Sequence, residues 1–198
     1  MSVMRDLQQR PGLRLTILLL AGMAGLGAGK AAAQSESGTA LSTVRVVSDA
    51  GGARLQVDGR DFMVYGMNWD YVPIGENYLY SLWQQPDHVI EAALAREMLL
   101  LKNMGVNAIR QYVGVPPRWV QYIYERYGIY TVINHPCARY GYTLDGAWIP
   151  NVDYADPRLR AALVAEVSAL VDEFQGVPGV LMWLLGNENN YGLSWTSF

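Results

Sequence analysis

The sequence predicts an α/β fold built on a parallel sheet, and three observations carry that reading. Four short apolar runs, at residues 62–67, 106–112, 129–134 and 180–185, are separated by segments whose apolar residues recur at helical spacing. Each of the three helical segments ends on a glycine: Gly105, Gly128 and Gly176. Polar and aromatic residues collect just after the apolar runs, the end of a parallel sheet where sites are built.

The elements follow in order. From Thr43 the apolar period is two: Val44, Val46 and Val47, then Asp49-Ala50-Gly51-Gly52, then Arg54-Leu55-Gln56-Val57, then Asp58-Gly59, then Phe62-Met63-Val64-Tyr65. Short β-rich runs joined by Asp-Gly predict a β-hairpin, because both central residues of that turn need positive φ. Residues 62–67 are more continuously apolar, as a strand buried on both faces requires. Asp87 can cap a first helix with the stripe Ile90, Leu94, Met98 and Leu101. Pro116-Pro117 opens a second, with Trp119, Val120, Ile123, Tyr124 and Tyr127 on one side. Asp156-Pro157 caps and opens a third, with Leu159, Leu163, Val167, Leu170 and Phe174.

Strands alternating with helices make right-handed βαβ units, which fit an open sheet or a closed barrel. The first strand is followed by no Gly-rich phosphate loop, which disfavours the open nucleotide-binding sheet. The fold class read from the sequence is therefore α/β, a (β/α)8 TIM barrel represented by its N-terminal half, strands 1–4, preceded by a short β-hairpin. The arithmetic agrees: 137 residues run from Phe62 to Phe198, against ~250 in a typical barrel.

Residues 1–33 read as a signal peptide: Arg5, Arg10 and Arg14, then 13 apolar or small residues from Leu15 to Gly27, then Ala31-Ala32-Ala33. That run is too short to span a ~30 Å hydrocarbon core; no stable membrane insertion is expected after cleavage, while an uncleaved N-terminal anchor stays open as the alternative because Lys30 lies close to the cut. Residues 34–42, small and polar, read as a linker, and 43–198 as the barrel domain, expected to be truncated at its C-terminus. Export to the periplasm or the extracellular space follows as an expectation. Removing Arg5, Arg10, Arg14, Lys30 and Asp6 moves the formal charge from −3 to −6. An acidic exported chain is a poor partner for nucleic acid and a reasonable one for neutral substrates. Cys137 is the only cysteine, so neither an intramolecular disulfide nor a Cys-rich zinc module is possible, and two histidines are too few for a His-based metal cluster.

The chemistry concentrates after the fourth apolar run, in Trp183-Leu184-Leu185-Gly186-Asn187-Glu188. A carboxylate at the mouth of a buried strand is held by the sheet yet open to a cleft, the placement that general acid–base work needs. Asn187 can donate an amide hydrogen bond to a hydroxyl or to developing negative charge. As an isolated motif, an Asn-Glu pair also suits an ordinary Asn-rich turn.

Trp183-x-x-Gly186-Asn187-Glu188 on a fourth strand resembles the acid/base signature of retaining glycoside hydrolases with (β/α)8 barrels, the clan that includes glycoside hydrolase family 2. Residues 55–60 with 62–68 are similar to that clan's entry into strand one, and residues 101–110 to its leader into strand two. The resemblance covers residues 54–192. It implies hydrolysis of O-glycosidic bonds by a retaining two-carboxylate mechanism, with an oligo- or polysaccharide as substrate and with no metal or organic cofactor. It further implies that Glu188 is the general acid/base, that Asn187 binds the hydroxyl beside the broken bond, and that Arg110 supports the nucleophilic carboxylate. His135 would sit at the cleft wall, although a structural histidine fits that position as well. The nucleophile is expected at the end of strand seven, beyond residue 198; Asp70, Glu76, Asp145 and Asp153 do not match its position. This fragment alone is therefore expected to be inactive.

Aromatic side chains suit a carbohydrate cleft because sugar rings present apolar C–H faces. Trp69, Tyr71, Tyr78, Tyr80 and Trp83 follow strand one; Tyr140, Tyr142 and Trp148 follow strand three; Tyr191 and Trp195 follow strand four. Asn68, Trp69 and Tyr191 join Asn187, Arg110 and His135 as substrate-binding candidates, while about half of the loop aromatics are expected to serve packing. Cys137, two positions from His135, is disfavoured as a nucleophile. Two other readings stay open: a transglycosylase on the same barrel, and a non-catalytic carbohydrate-binding barrel.

Overall fold

The computed structural model describes residues 40–112 and 114–188. Residues 1–33, read above as a signal peptide, most of 34–42, read as a linker, and Tyr191 and Trp195 lie outside the described residues.

Strands β1 (Val44–Asp49) and β2 (Gly52–Val57) form an antiparallel hairpin in the register Val44 to Val57. The Asp58-Gly59 turn, with φ of 51° and 77°, adds a short β3 (Arg60–Asp61). The hairpin is thus extended into a three-stranded meander, because each turn carries the residues that tolerate positive φ.

Four parallel strands follow: β4 (Gly66–Asn68), β5 (Ala108–Tyr112), β6 (Tyr130–His135) and, after a two-stranded insertion, β9 (Val180–Leu185), adjacent in that order. Helices α1 (Asp87–Asn103), α2 (Pro117–Tyr127) and α3 (Pro157–Phe174) provide the crossovers. The period of two separates the faces of the central strands. Ile109 and Ile133 point outward and pack with Ile90, Leu94 and Met98 of α1 and with Val120 and Ile123 of α2 in one core. Burying each such side chain stabilises the fold by roughly 1.5–3 kcal/mol. A second core gathers Ala108, Tyr130, Val132 and Leu181 with Val57, Leu55 and Phe62 of the meander segment. The meander thereby covers the N-terminal end of the sheet and leaves the C-terminal end for chemistry.

Two expectations need correcting. The first strand of the sheet is three residues long, and all three are exposed rather than buried on both faces. Among the described residues β4 pairs only with β5, so its other edge is open. The Asn107 side chain stands in for ladder partners just before it, donating to the Met63 carbonyl at 2.8 Å and accepting from the Tyr65 amide at 2.9 Å. The second correction concerns Asp87, which does not cap α1. Pro86 holds that position, and the Asp87 carboxylate instead grips Arg118 of α2 at 2.7 and 2.8 Å. Asp156 does cap α3, accepting from the Arg158 amide at 2.8 Å, and the Arg158 side chain beside it holds its carboxyl below the usual carboxylate range.

The insertion between β6 and α3 is a hairpin rather than a plain loop. Strands β7 (Tyr142–Leu144) and β8 (Ala147–Ile149) pair antiparallel across Asp145-Gly146, whose φ values are 51° and 80°. The Asp-Gly signal that marks the turn between β2 and β3 is present here too. No helix among the described residues is long and apolar enough to cross a membrane.

At the N-terminal end of the sheet, Tyr130 stacks edge-on with Phe62 at 5.4 Å and meets the hydroxyls of Ser42 at 2.9 Å and Tyr124 at 3.3 Å. Burial, foremost, pushes the Tyr130 phenol from 10 up to about 12. Folding therefore favours the protonated phenol, and its contribution is complete below pH 10 and lost as the pH rises through about 12. Tyr130→Phe keeps the ring and should flatten the fall in stability between pH 10 and 12, read as urea midpoints of the two chains. Parallel pH curves would remove Tyr130 as the source.

Candidate active site

The parallel register brings four polar residues to the C-terminal end of the sheet. Asn68 lies beside Arg110 in the ladder, Asn134 is next to last in β6, and Asn187 follows β9 by two residues. Arg110 is the common partner. Its Nε donates to Asn134 Oδ1 at 2.8 Å, a second guanidinium N–H reaches the same oxygen, and Nη2 donates to Asn187 Oδ1 at 2.5 Å. Nη1 reaches Asn68 Oδ1 at 3.5 Å. The guanidinium also lies 5.0 Å from the Tyr112 ring centroid, a cation–π contact. A guanidinium suits this position because its fork of donors can serve several oxygens at once.

Sequence reasoning did not single out Asn134, yet the site turns on it. It is fully buried. While its oxygen accepts from Arg110, its amide donates to the carbonyls of Leu184 at 3.2 Å and Gly186 at 3.0 Å. One side chain therefore ties β5 to the segment that leads into Glu188. Its signal was a polar residue closing an otherwise apolar run. Gln111 was missed too: it is buried and its amide donates to the Trp69 carbonyl.

Asn187 is held from two sides, since its amide also donates to the Tyr140 hydroxyl at 2.6 Å. Glu188 is exposed, its φ is 51°, and its carbonyl accepts from Arg139 Nε at 2.7 Å. Positive φ is uncommon for a residue with a Cβ, and such conformations gather at functional sites where neighbours enforce them. Here the contacts are on the backbone of Glu188 and on the side chain before it, so what they hold is the backbone from which the Glu188 side chain departs.

The remaining candidates separate from this group. His135 is buried, and its ring engages Cys137 and Glu166 rather than the Arg110 cluster. Its Nδ1 accepts from the Cys137 amide at 3.1 Å and lies 3.4 Å from Cys137 Sγ, while Nε2 is 3.6 Å from Glu166 Oε2 on α3. Burial, followed by the Glu166 charge, pushes the Cys137 thiol up, opposite to what a thiolate nucleophile needs. Trp69 turns into the helix-side core and packs edge-on against Trp83 at 6.1 Å. Its indole N–H is buried without a partner among the described residues. Among the described residues no group of three or more His, Cys, Asp or Glu side chains could hold a metal ion.

Asn134→Ala would leave the Leu184 and Gly186 carbonyls and two Arg110 donors without their partner. The expected loss is about 1–3 kcal/mol of folding stability, measured by urea denaturation. An unchanged midpoint would show that water replaces the amide at no cost.

Residues 87–197 match the family model for glycosyl hydrolases family 2, TIM barrel domain. A beta-galactosidase of Photobacterium profundum is 25% identical over 143 residues, covering 71% of this chain and 12% of that protein. A beta-galactosidase of Klebsiella pneumoniae is 30% identical over 111 residues, covering 52% of this chain and 10% of that protein. The chain thus spans roughly an eighth of the length of the curated relatives it matches. Among solved structures, Parabacteroides merdae beta-glucuronidase with glycerol in its active site aligns at a TM-score of 0.48 and 18% identity, covering 74% of this chain and 16% of that one. The family match takes in more than half of the chain and runs through α1, the sheet strands β5, β6 and β9, and Glu188. The chain belongs to glycosyl hydrolase family 2, within its TIM barrel domain.

Proposed function

We propose that this chain supplies strands one to four of a retaining glycosidase barrel, in which Glu188 protonates the leaving oxygen and later deprotonates the attacking water. The observation that carries the reading is the position of Glu188: at the mouth of β9, in a positive-φ conformation, directly after an asparagine fixed by Arg110 and Tyr140. Retention needs a second carboxylate ~5–5.5 Å away that attacks the sugar and forms a covalent glycosyl-enzyme. That group is assigned to a later strand of the barrel; among the described residues β9 pairs only with β6, and its other edge is where a following strand would pair. The substrate is an oligo- or polysaccharide. Asn187 contacts the hydroxyl next to the scissile bond, and Arg110 supports the nucleophilic carboxylate from across the barrel mouth. The basic, apolar, alanine-rich start of the chain supports export to the periplasm or beyond.

The test is Glu188→Gln in the protein translated from the complete reading frame. Its kcat/KM on an ordinary disaccharide should fall by about 10²–10⁴-fold, and much less on an aryl glycoside whose leaving group needs no proton. Equal activity on the disaccharide would reject Glu188 as the acid. Arg110→Lys keeps the charge but loses the fork, so it should also lower kcat/KM, by about tenfold or more. Full activity in that variant would reduce Arg110 to a point charge.

A further inference from the structure

The turn that follows β6 has a backbone that glycine would suit better. Cys137 and Ala138 have φ of 49° and 60°, two consecutive side-chain-bearing residues in the left-handed region. Such conformations persist only where the surroundings over-determine them. Here they do. The Cys137 amide donates to His135 Nδ1 at 3.1 Å, and the Cys137 carbonyl accepts from the Tyr154 hydroxyl at 2.7 Å. The Arg139 amide donates to the Pro136 carbonyl at 3.1 Å, and the Gly141 amide to the Ala138 carbonyl at 3.1 Å. Ala138 is buried against Leu159 and Leu163 of α3. His135, expected at the cleft wall, thus serves this turn as an acceptor.

Packing alone does not account for what the turn presents. Its next two side chains are Arg139 and Tyr140, and Tyr140 is 60% exposed. Both reach the segment after β9. Arg139 Nε donates to the Glu188 carbonyl at 2.7 Å, and the Tyr140 hydroxyl accepts from Asn187 Nδ2 at 2.6 Å. The Arg139 guanidinium lies 5.1 Å from the Tyr140 ring centroid, so the two side chains support each other. Adjacent residues of one strained turn therefore serve the adjacent Asn187 and Glu188, one residue through its side chain and the other through its backbone. The receiving end is itself left-handed, with Glu188 at a φ of 51°. Two unfavourable backbone conformations are locked against each other.

We propose that Arg139 and Tyr140 are positioning residues for the reaction, Arg139 acting through the backbone of Glu188 and Tyr140 through the amide of Asn187. The division follows from the atoms involved. Asn187 gives its oxygen to Arg110 and one amide hydrogen to Tyr140. An amide nitrogen carries two hydrogens, so the second is left with a set direction for the sugar hydroxyl. Without the Tyr140 oxygen, the Asn187 side chain loses its second fixed point. Arg139 holds the carbonyl of Glu188, and a reacting group misplaced by about 1 Å can cost about 10²-fold in rate. These roles rest on Glu188 as the acid/base; the turn and its contacts do not.

The experiment compares Arg139→Met, Arg139→Lys and Tyr140→Phe in the protein translated from the complete reading frame. Arg139→Met should lower kcat/KM on a disaccharide by about tenfold or more. On an aryl glycoside whose leaving group needs no proton the loss should be less than about twofold. Arg139→Lys returns a donor to the Glu188 carbonyl and should recover most of the disaccharide activity. Tyr140→Phe should cost about threefold to tenfold on a glycoside, the worth of one hydrogen bond. It should cost nothing on the 2-deoxy analogue, which lacks the hydroxyl beside the scissile bond. A merely structural role would lower all of these substrates alike. Where Glu188→Gln itself lowers hydrolysis, equal losses on the paired substrates, or no loss on any, overturn the proposal. Crystal structures test the geometry separately. In Arg139→Met the Glu188 φ should leave the left-handed region, and an unmoved Glu188 overturns the proposal. A displaced Glu188 in a protein whose hydrolysis is indifferent to Glu188→Gln keeps the clamp and removes the acid assignment. Hydrolysis lost in Glu188→Gln but untouched in Arg139→Met and Tyr140→Phe does the reverse.

Discussion

The candidate site depends on one buried amide. Asn134 gives its oxygen to Arg110 and its hydrogens to the Leu184 and Gly186 carbonyls, so a single fully buried side chain links β5, β6 and the exit from β9. A buried polar group without partners is costly, and a satisfied one restricts the geometry around it. With Asn134 satisfied, Arg110 has a defined direction, and its remaining donors point to Asn187 and Asn68. The conformation of Glu188 follows from that chain of contacts together with Arg139 and Tyr140.

The sheet separates its two ends by composition. Toward the N-terminal ends of the strands, Ala108, Tyr130 and Val132 meet the meander segment, and apolar packing closes the surface. Toward the C-terminal ends, the same strands present Arg110 and Asn134, with His135 closing β6. The period of two makes this possible: alternate residues face the helices, where Ile109 and Ile133 bind the strands to α1 and α2. The rigid side of the sheet supports polar residues on the other.

Much of this was legible in the sequence because periodicity is a physical signal. The stripes Ile90, Leu94, Met98, Leu101 and Trp119, Val120, Ile123, Tyr127 are buried as their spacing requires, and the run at residues 180–185 coincides with β9. The Asp156 cap was readable because an aspartate preceded a proline at the first helical position. Capping by Asp87 was not, since the competing partner, Arg118, sits 31 residues away and only the fold brings it close. The β7–β8 hairpin carried an Asp-Gly signal, but its strands are three residues each, too short to register as alternation. Trp69 shows the limit of composition: an aromatic after a strand suits a sugar platform or a core, and here it packs with Trp83. Asn134 was hidden for a different reason, because its partners lie on β5 and on β9 and its exit, and no local spacing announces them.

The central claim is that this half of a family 2 barrel places Glu188 as one of two carboxylates acting across a glycosidic bond. The most direct test is a structure of the protein translated from the complete reading frame, in which the distance from the Glu188 carboxyl group to the nearest carboxylate from a later strand is measured. The account predicts a separation of ~5–5.5 Å, with the second group facing Arg110. A separation of ~6.5–9.5 Å, or no carboxylate across the barrel mouth, would contradict it.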